Sequence, residues 1–532
     1  MTHLAHSASK AAPARTVSAL DDISERLSVE LVIAMVGPVG SGVSTAALIL
    51  REILASRFGY AVDDVIKVSA LISRDAYREG LPGVDGQPGY ERIKNLQTMG
   101  NELRHSHGAH YLAKRAIEMI SQARTSSQGF ERIADDAPPR AARVRRACII
   151  DSLKNDAELS LLRSIYKDML VVVGVFAPDH VRTRWLESLG VTAAEVGAIL
   201  DRDQGEVFAH GQQTRAIFGD ADLFIRNDGD NDAGLRHAVG RFLDIVFDVG
   251  VHTPTRTEGA MHEADAVSRR SACLSRQVGA AIVDAKGDLI SAGWNDVPRA
   301  GGGLYVEDDQ RSIDPTTKLA GDHDHRCFRF GQRICHNDRE KDGIRTELQS
   351  RLRQAGVIRE GVDEEALAAA IRGSRLDAVI EFSRSIHAEI EAILAVTRDS
   401  RHSLLGATLY SITYTCHNCA RHIVAAGIRE VVYIQPYRKS LAMKLHHDAI
   451  SEVPRGASHV LFSQYDGVAP KHFARLFKSR ADRKTSAGAV TTRDPTSAEP
   501  VFQQPLDSFV IYELRVTAEL EELVNRSSDM IA

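Results

Sequence analysis

The stretch TYTCHNCARHI, residues 413–423, carries two of the chain's six cysteines, Cys416 and Cys419, three positions apart. A C-x-x-C pair alone is ambiguous between a redox couple, half of a structural zinc site and a fragment of something else. The discriminating partner lies upstream in SIHAEIEAIL (385–394), where His387 and Glu389 form an H-x-E pair. Ile386, Ile390, Ile393 and Leu394 recur at helical spacing, which puts the pair on the first turn of a buried helix. Ile423 and Val424 continue an apolar face until Gly427, so the cysteines open a second helix. Two helix N-termini then converge on one imidazole and two thiols, and positive helix ends favour thiolates. Three protein ligands leave the fourth position of a zinc ion open, as in catalytic rather than structural sites. Glu389 stands two residues from a ligand, placed to carry a proton rather than to bind metal. The alternative is a closed structural zinc knot, or a helix pair with no metal.

Working outward, ATLYSIT (407–413) and EVVYIQP (430–436) read as strands on either side of the cysteine helix. EADAVSRRSACLSRQVGAAIVD (263–284) reads as a helix leading into a strand, and DLISAGWN (288–295) as a second strand across a KGD turn. A polar insertion covers 299–378. This is a mixed α/β layer with helices on one sheet. Nearer the N-terminus, LVIAMVG (31–37), ACIIDSL (147–153) and DMLVVVGVFAP (168–178) are apolar strands with helical segments between them. That alternation predicts a parallel α/β sheet running to about residue 250. The expected layout is a disordered tail over 1–28, one α/β domain over 29–250, a second over 251–478, and a Ser/Thr/Pro-rich linker with a C-terminal helix over 479–532.

The bulk numbers fit this division. At 532 residues the chain is too long for one ordinary core. Its composition, 43% hydrophobic and 26% charged, is that of a globular protein, and its net charge of −5 advertises no nucleic-acid binding. No apolar run is long enough to span a bilayer. The N-terminus lacks the apolar core of a secretory signal, and six cysteines are sparse for a disulfide scaffold, so a reducing cytoplasm is the expected setting.

The H-x-E and C-x-x-C halves together resemble the zinc-dependent cytidine deaminase superfamily. That resemblance implies an α/β/α fold and a catalytic Zn2+ on His387, Cys416 and Cys419. It also implies Glu389 as the group that shuttles a proton while water attacks the ring carbon and ammonia leaves. Thr415 stands where the superfamily usually has proline, a departure that removes no ligand. RRSACLSRQVGAAIVD (269–284), GWNDVP (293–298), CHNCARHIVAAGI (416–428) and PYRKS (436–440) resemble the deoxycytidylate deaminase branch, where the asparagine of G-x-N holds the sugar hydroxyl. The role carries over to Asn295, whose alternative is a strand-end turn. His323, His325, Cys327, Cys335 and His336 form a second cluster in the insertion. It is either a structural second Zn2+ site or a polar loop over the pocket mouth.

The first strand runs into GPVGSGVST (37–45), which follows the phosphate-loop pattern G-x-x-x-x-G-K-[ST] with Val43 in place of lysine. Gly37, Pro38, Val39, Gly40, Ser41, Gly42, Val43 and Ser44 are the candidate nucleotide-binding residues, with Ser44 able to reach Mg2+. Loss of the lysine predicts binding without efficient phosphoryl transfer. Asp151 takes a Walker-B position, and ADLFIRNDG (221–229) resembles a late strand of small nucleotide kinases. The alternative is an ordinary strand–turn–helix with glycines for packing.

A degenerate P-loop kinase-like domain followed by a deoxycytidylate-deaminase-like domain resembles the bacterial anti-phage dCTP/dCMP deaminases, over roughly residues 30–475. The resemblance implies conversion of deoxycytidine nucleotides to deoxyuridine nucleotides, depletion of dCTP during infection, and, in some members, an inhibitory small RNA. Self-association, as a homo-oligomer, is a further expectation. Two rivals are a nucleic-acid-editing deaminase and a non-catalytic nucleotide sensor with a zinc scaffold. An aromatic content of 6% and the absence of a basic stripe around 387–419 weigh against the first, and Glu389 against the second.

Overall fold

The computed structural model describes residues 25–531 except 82–83, 85–86, 128–129, 132–139, 207–208, 229–230, 312–323, 325, 330–332, 360, 373, 437–439 and 481. Most of the expected tail, and the PYRKS residues Tyr437, Arg438 and Lys439, lie outside the described residues.

The first sheet is built on β1 (Leu31–Val36), whose six residues are all buried. Period-two alternation sends Leu31, Ile33 and Met35 into one core and Val32, Ala34 and Val36 into another. A strand covered on both faces reads as a continuous apolar run, which is why this one was legible. Helix α1 (Val43–Phe58) follows it, and α2 (Tyr111–Ser126) packs on the opposite face. Next come β2 (Arg146–Leu153), α3 (Asp156–Tyr166), β3 (Leu170–Phe176), β4 (Leu223–Arg226) and α4 (Ala233–Val246). β2, β1, β3 and β4 lie side by side in that order, all parallel.

Helix α5 (Arg256–Ser268) leads into the second sheet, with β5 (Gly279–Val283) and β6 (Leu289–Trp294) as an antiparallel hairpin. The insertion contributes α6 (His336–Gln354), a helix with no buried side chain. Then come α7 (Ala388–Asp399), β7 (Thr408–Thr413), α8 (His417–Ala425), β8 (Glu430–Gln435), β9 (Ile450–Ser451) and β10 (Val460–Gln464). The order is β6-β5-β7-β8-β10-β9, antiparallel at β6-β5-β7 and parallel beyond. Ala260, Met261 and Ala264 of α5 cover one face; Ala388 and Ala392 of α7 with Ala420 and Ile423 of α8 cover the other. The expected helix-on-sheet layering is present. The helical face is not quite the one the periodicity predicts: Leu394 of α7 is 40% exposed, and Ala388, Ala392 and Val396 take the inward positions.

The chain then returns to the first sheet. Gly467–Val468 pairs antiparallel with β4, and the Val468 N–H donates to the buried Glu258 of α5 at 3.0 Å. Glu258 also caps its own helix through Thr255 and takes both ends of the Arg241 guanidinium at 2.7 and 2.8 Å. The described residues of 480–505, linker-like in composition, form no helix, yet Ala498, Val501 and Phe502 are buried in the core beside α1 and α4. Helix α9 (Asp507–Ile531) docks on α2 through Phe509, Val510, Val516 and Leu520. Fully buried Arg124 of α2 joins this helix to β1, taking Glu513 by two 3.2 Å contacts and Glu30 by a third. Among the described residues no helix is long and apolar enough to cross a membrane.

Two outcomes are expected. Glu513→Ala leaves the Arg124 Nε and Nη2 and the Tyr166 hydroxyl without their partner, Glu30 alone still pairing with Arg124, and should lower unfolding free energy by about 3 kcal/mol in urea titrations. The second concerns Asp222, whose carboxylate receives Val172 N–H, His472 and Lys471 at 2.7–2.8 Å and Arg163 at 3.3 Å. Burial raises this group, but the His472 hydrogen bond and the charges of Lys471, His472 and Arg163 outweigh it and hold it well below the usual carboxylate range. A depressed folded-state value stabilises above the unfolded value, about 4, and that contribution is lost as pH falls further. The stability gap between wild type and Asp222→Asn should therefore be constant near neutrality and shrink below about pH 4.

Candidate active site

Glycine at one position sets how close α7 comes to the sheet. A Cβ on Gly293 of β6 would sit 2.4 Å from the Ala392 nitrogen and 2.7 Å from the Ala388 oxygen, so only glycine permits the approach. Ser291, on the same strand, donates to the Ala392 carbonyl at 2.7 Å. Just before α7, the Ile386 N–H donates to the Asp296 carbonyl at 3.0 Å, fixing the backbone that leads into His387. His387 is the N-cap residue of α7 and Glu389 lies in its first turn; Cys416 is the N-cap residue of α8 and Cys419 its third residue.

The four side chains meet. His387 Nδ1 lies 3.3 Å from Cys416 Sγ and 3.3 Å from Cys419 Sγ. The Glu389 carboxylate, 3% exposed, lies 3.6 Å from Cys419 Sγ. Among the described residues this is the one cluster of three or more His, Cys, Asp or Glu able to hold a metal ion, its donor atoms all within 4.8 Å of one another. Bonds of about 2.1 Å to nitrogen and 2.3 Å to sulfur, in a tetrahedron, separate donors by roughly 3.5 Å. The trio therefore fits zinc by donor chemistry and by spacing.

The electrostatics are those of a site that shares protons. A hydrogen bond from Cys419 holds the Cys416 thiol down at about 4 against the effect of burial, and His387 reinforces it. The contact with Cys416 lifts His387 to about 9 despite burial. Its hydrogen bond with Cys416, together with burial, pushes Cys419 up. Burial likewise raises the Glu389 carboxyl above its ordinary value, so this group holds a proton more readily than an exposed glutamate.

A cavity of about 460 Å³ opens over the cluster, lined by His387, Glu389, Cys416 and Asn295. Asn295 has both ends of its amide engaged: it accepts from Val278 N–H at 2.7 Å and donates to the Arg276 carbonyl at 2.8 Å. Thr415, in the position noted for its missing proline, is fully buried with an unpartnered hydroxyl. Cys327, Cys335 and His336 of the insertion also line the cavity, without forming a second metal cluster among the described residues; His323 and His325 lie outside them. Sequence reasoning missed Asp296, which receives the amides of Ala272 and Val297 and faces Arg326 at 3.6 Å. Arg326 is in turn clasped by Asp324 at 2.8 and 2.9 Å.

Residues 37–44, the glycine-rich stretch, lie at the end of β1. Ser44 Oγ donates to Asp151 Oδ2 at 2.6 Å. Gly42 has φ of 83°, and a Cβ there would strike the Asn227 amide 2.0 Å away. That amide donates to the Ser41 carbonyl at 2.9 Å and clasps the loop. Val43 is buried as the first residue of α1. Sequence reasoning missed Asp203 and Lys154. The Asp203 carboxylate, 1% exposed, accepts the Val39 N–H at 2.8 Å, and Lys154 bridges Asp203 and the Gly37 carbonyl at 2.8 and 2.7 Å. An internal carboxylate thus takes one of the loop's amides.

Comparison with known proteins bears on the second sheet. Residues 254–435 match the family described as the cytidine and deoxycytidylate deaminase zinc-binding region. The deoxycytidylate deaminase of Enterobacteria phage T4 is 27% identical over 177 residues, 33% of this chain and 75% of that protein. The phage T2 enzyme of the same name is 28% identical over 180 residues, 33% of this chain and 77% of its own length. Among solved structures, dCMP deaminase from the cyanophage S-TIM5 aligns at 17% identity over 40% of this chain and 100% of its own, with a TM-score of 0.22. A cytidine and deoxycytidylate deaminase zinc-binding domain is thus present in this chain, spanning residues 254–435.

Proposed function

We propose that the chain is a zinc-dependent hydrolase that removes the 4-amino group of free deoxycytidine nucleotides, dCMP and dCTP, and yields the deoxyuridine nucleotides with release of ammonia. The observation that carries this reading is a buried carboxylate, Glu389, beside a His/Cys/Cys donor set at the floor of a cavity. A metal serving structure alone has no use for that carboxylate. His387, Cys416 and Cys419 would hold the zinc, which would supply Lewis-acid activation of water. Glu389 takes the proton of the attacking water and delivers it to the departing amine. Its raised affinity for a proton, a result of burial, suits a group that must hold that proton between the two events. Asn295, locked by two backbone contacts, presents its cavity-facing edge to the sugar.

The same cavity is lined by Arg215, Arg276, Arg326, Lys341 and Arg384, with Asp296, Asp338 and Asp377 as acidic residues besides Glu389. Five cationic side chains around one opening suit a phosphate chain. Arg215 comes from the helix Thr214–Gly219, beside the first sheet, so residues outside the matched region complete the substrate cavity. Depletion of dCTP as a defence against phage is the biological role this reading carries, supported by the resemblance of the paired α/β layout. The phosphate loop, by the same reading, binds nucleotide without transferring phosphate.

The test is a chromatographic product assay with dCTP, dCMP, cytidine nucleotides and a cytosine-containing oligonucleotide in separate reactions. Wild type should convert the free deoxynucleotides. Glu389→Ala should keep its zinc, measured by elemental analysis, and lose at least about a hundredfold in turnover. Cys419→Ser should lose the zinc itself. Loss of zinc in Glu389→Ala, or conversion of the oligonucleotide alone, would sink the assignment.

A further inference from the structure

Gln435, the last residue of β8, meets two segments that each send a cationic side chain to the deaminase cavity. One is the loop before β5, which carries Arg276; the other is the helix Thr214–Gly219, which carries Arg215. The two ends of the Gln435 amide do different things. Its Oε1 accepts a hydrogen bond from Arg276 Nη2 at 2.7 Å. Its Nε2 lies so close to Gly219 that a Cβ built there would stand 2.5 Å away, and 3.0 and 3.1 Å from Cγ and Cδ of the same side chain. Gly219 does not have a left-handed φ, so it is the space taken by Gln435 that a side chain there would violate.

Both supports of this amide are themselves fixed. The Gln435 carbonyl accepts the Tyr414 N–H at 3.1 Å, two residues before Cys416, and Gln435 pairs in register with Thr413 of β7. In the helix Thr214–Gly219, Ile217 and Phe218 are buried, and Phe218 fits against β3 where a Cβ on Gly174 would stand 3.0 Å from its ring. The Gln213 N–H at the start of that helix donates to the Lys154 carbonyl at 2.7 Å. Arg276, by contrast, is exposed. A long exposed side chain loses much rotamer freedom when a ligand immobilises it, and one already held in place loses less. The Arg276 carbonyl is held by Asn295 Nδ2 at 2.8 Å and its guanidinium by Gln435, so both ends of the residue are set from within the site. A neutral acceptor also orients a guanidinium without cancelling its charge, which a carboxylate in the same place would do.

We propose that Gln435 is a positioning residue for the substrate's phosphate: wedged against Gly219, it holds the Arg276 guanidinium toward the cavity and leaves the charge free for the ligand. The inference rests on the deaminase reading above. The test is steady-state kinetics on the full-length zinc-loaded protein with dCMP and dCTP, alongside zinc analysis of each variant. Gln435→Leu removes the acceptor and should raise KM about tenfold or more, with kcat within about twofold of wild type and zinc content unchanged. Gly219→Ala, whose methyl displaces the Gln435 amide, should raise KM at least about threefold, and serves as the second variant should Gln435→Leu misfold. Arg276→Met should raise KM by itself, and in that background Gln435→Leu should add no more than about twofold, because two residues acting as one unit are not additive. A wild-type KM in Gln435→Leu and Gly219→Ala overturns the inference. So does a loss confined to kcat, or full additivity with Arg276→Met, either of which would give Gln435 a role independent of Arg276. A wild-type protein that converts neither nucleotide overturns the deaminase reading and this inference with it, and that failure is told apart because it shows in the unmutated chain.

Discussion

The geometry of the candidate active site depends on how closely α7 can lie against β6. Gly293 sets that distance, because any side chain there would meet the helix backbone at Ala388 and Ala392. The approach places the first turn of α7 at the level of the first turn of α8, whose own position follows from the parallel pairing of β7 and β8. A displacement of one ångström at Gly293 would be passed directly to His387 and Glu389. The cysteines, on the neighbouring helix, would not move with them. Packing against backbone is a stiffer support than packing against a side chain, which can change rotamer.

Charge is buried in this molecule at junctions. Glu258 joins two helices and the strand at Val468; Arg124 joins α2, β1 and α9; Asp222 collects cations from both sides of the chain's return. Each is nearly inaccessible and each is answered by several hydrogen bonds, so desolvation is offset by local pairing. Glu389 differs from them. Its buried carboxyl is faced by the His387 imidazole, and burial pushes it toward the protonated form. A carboxylate kept short of partners in a cavity is arranged for proton chemistry, not for stability.

Sequence patterns revealed what short-range spacing encodes. The H-x-E and C-x-x-C pairs each occupy a helix start, where order along the chain nearly determines order in space. β1 was legible because both its faces are buried. The misreadings share a cause: long-range packing. Leu394 has the right spacing for an inward residue, but Ala388 and Ala392 already fill the space against Gly293, leaving no depth for a leucine. Val501 and Phe502 sit among Ser, Thr and Pro, so local composition hid a pair of core residues. Asp203 and Lys154 lie far from the phosphate loop in sequence, and only the parallel stacking of strands brings them to Val39 and Gly37.

The return of the chain at Gly467–Val468 bears on how the two sheets came to share one polypeptide. A fusion of independent modules leaves each with its own edges, and a single cut restores both. Here the first sheet borrows its last edge strand from beyond the end of the second, and its flank is sealed by a helix further on still. No single break in the backbone yields two self-sufficient pieces. The partnership is woven rather than strung, and a mutation that loosens residues 467–531 will be felt on both sheets together.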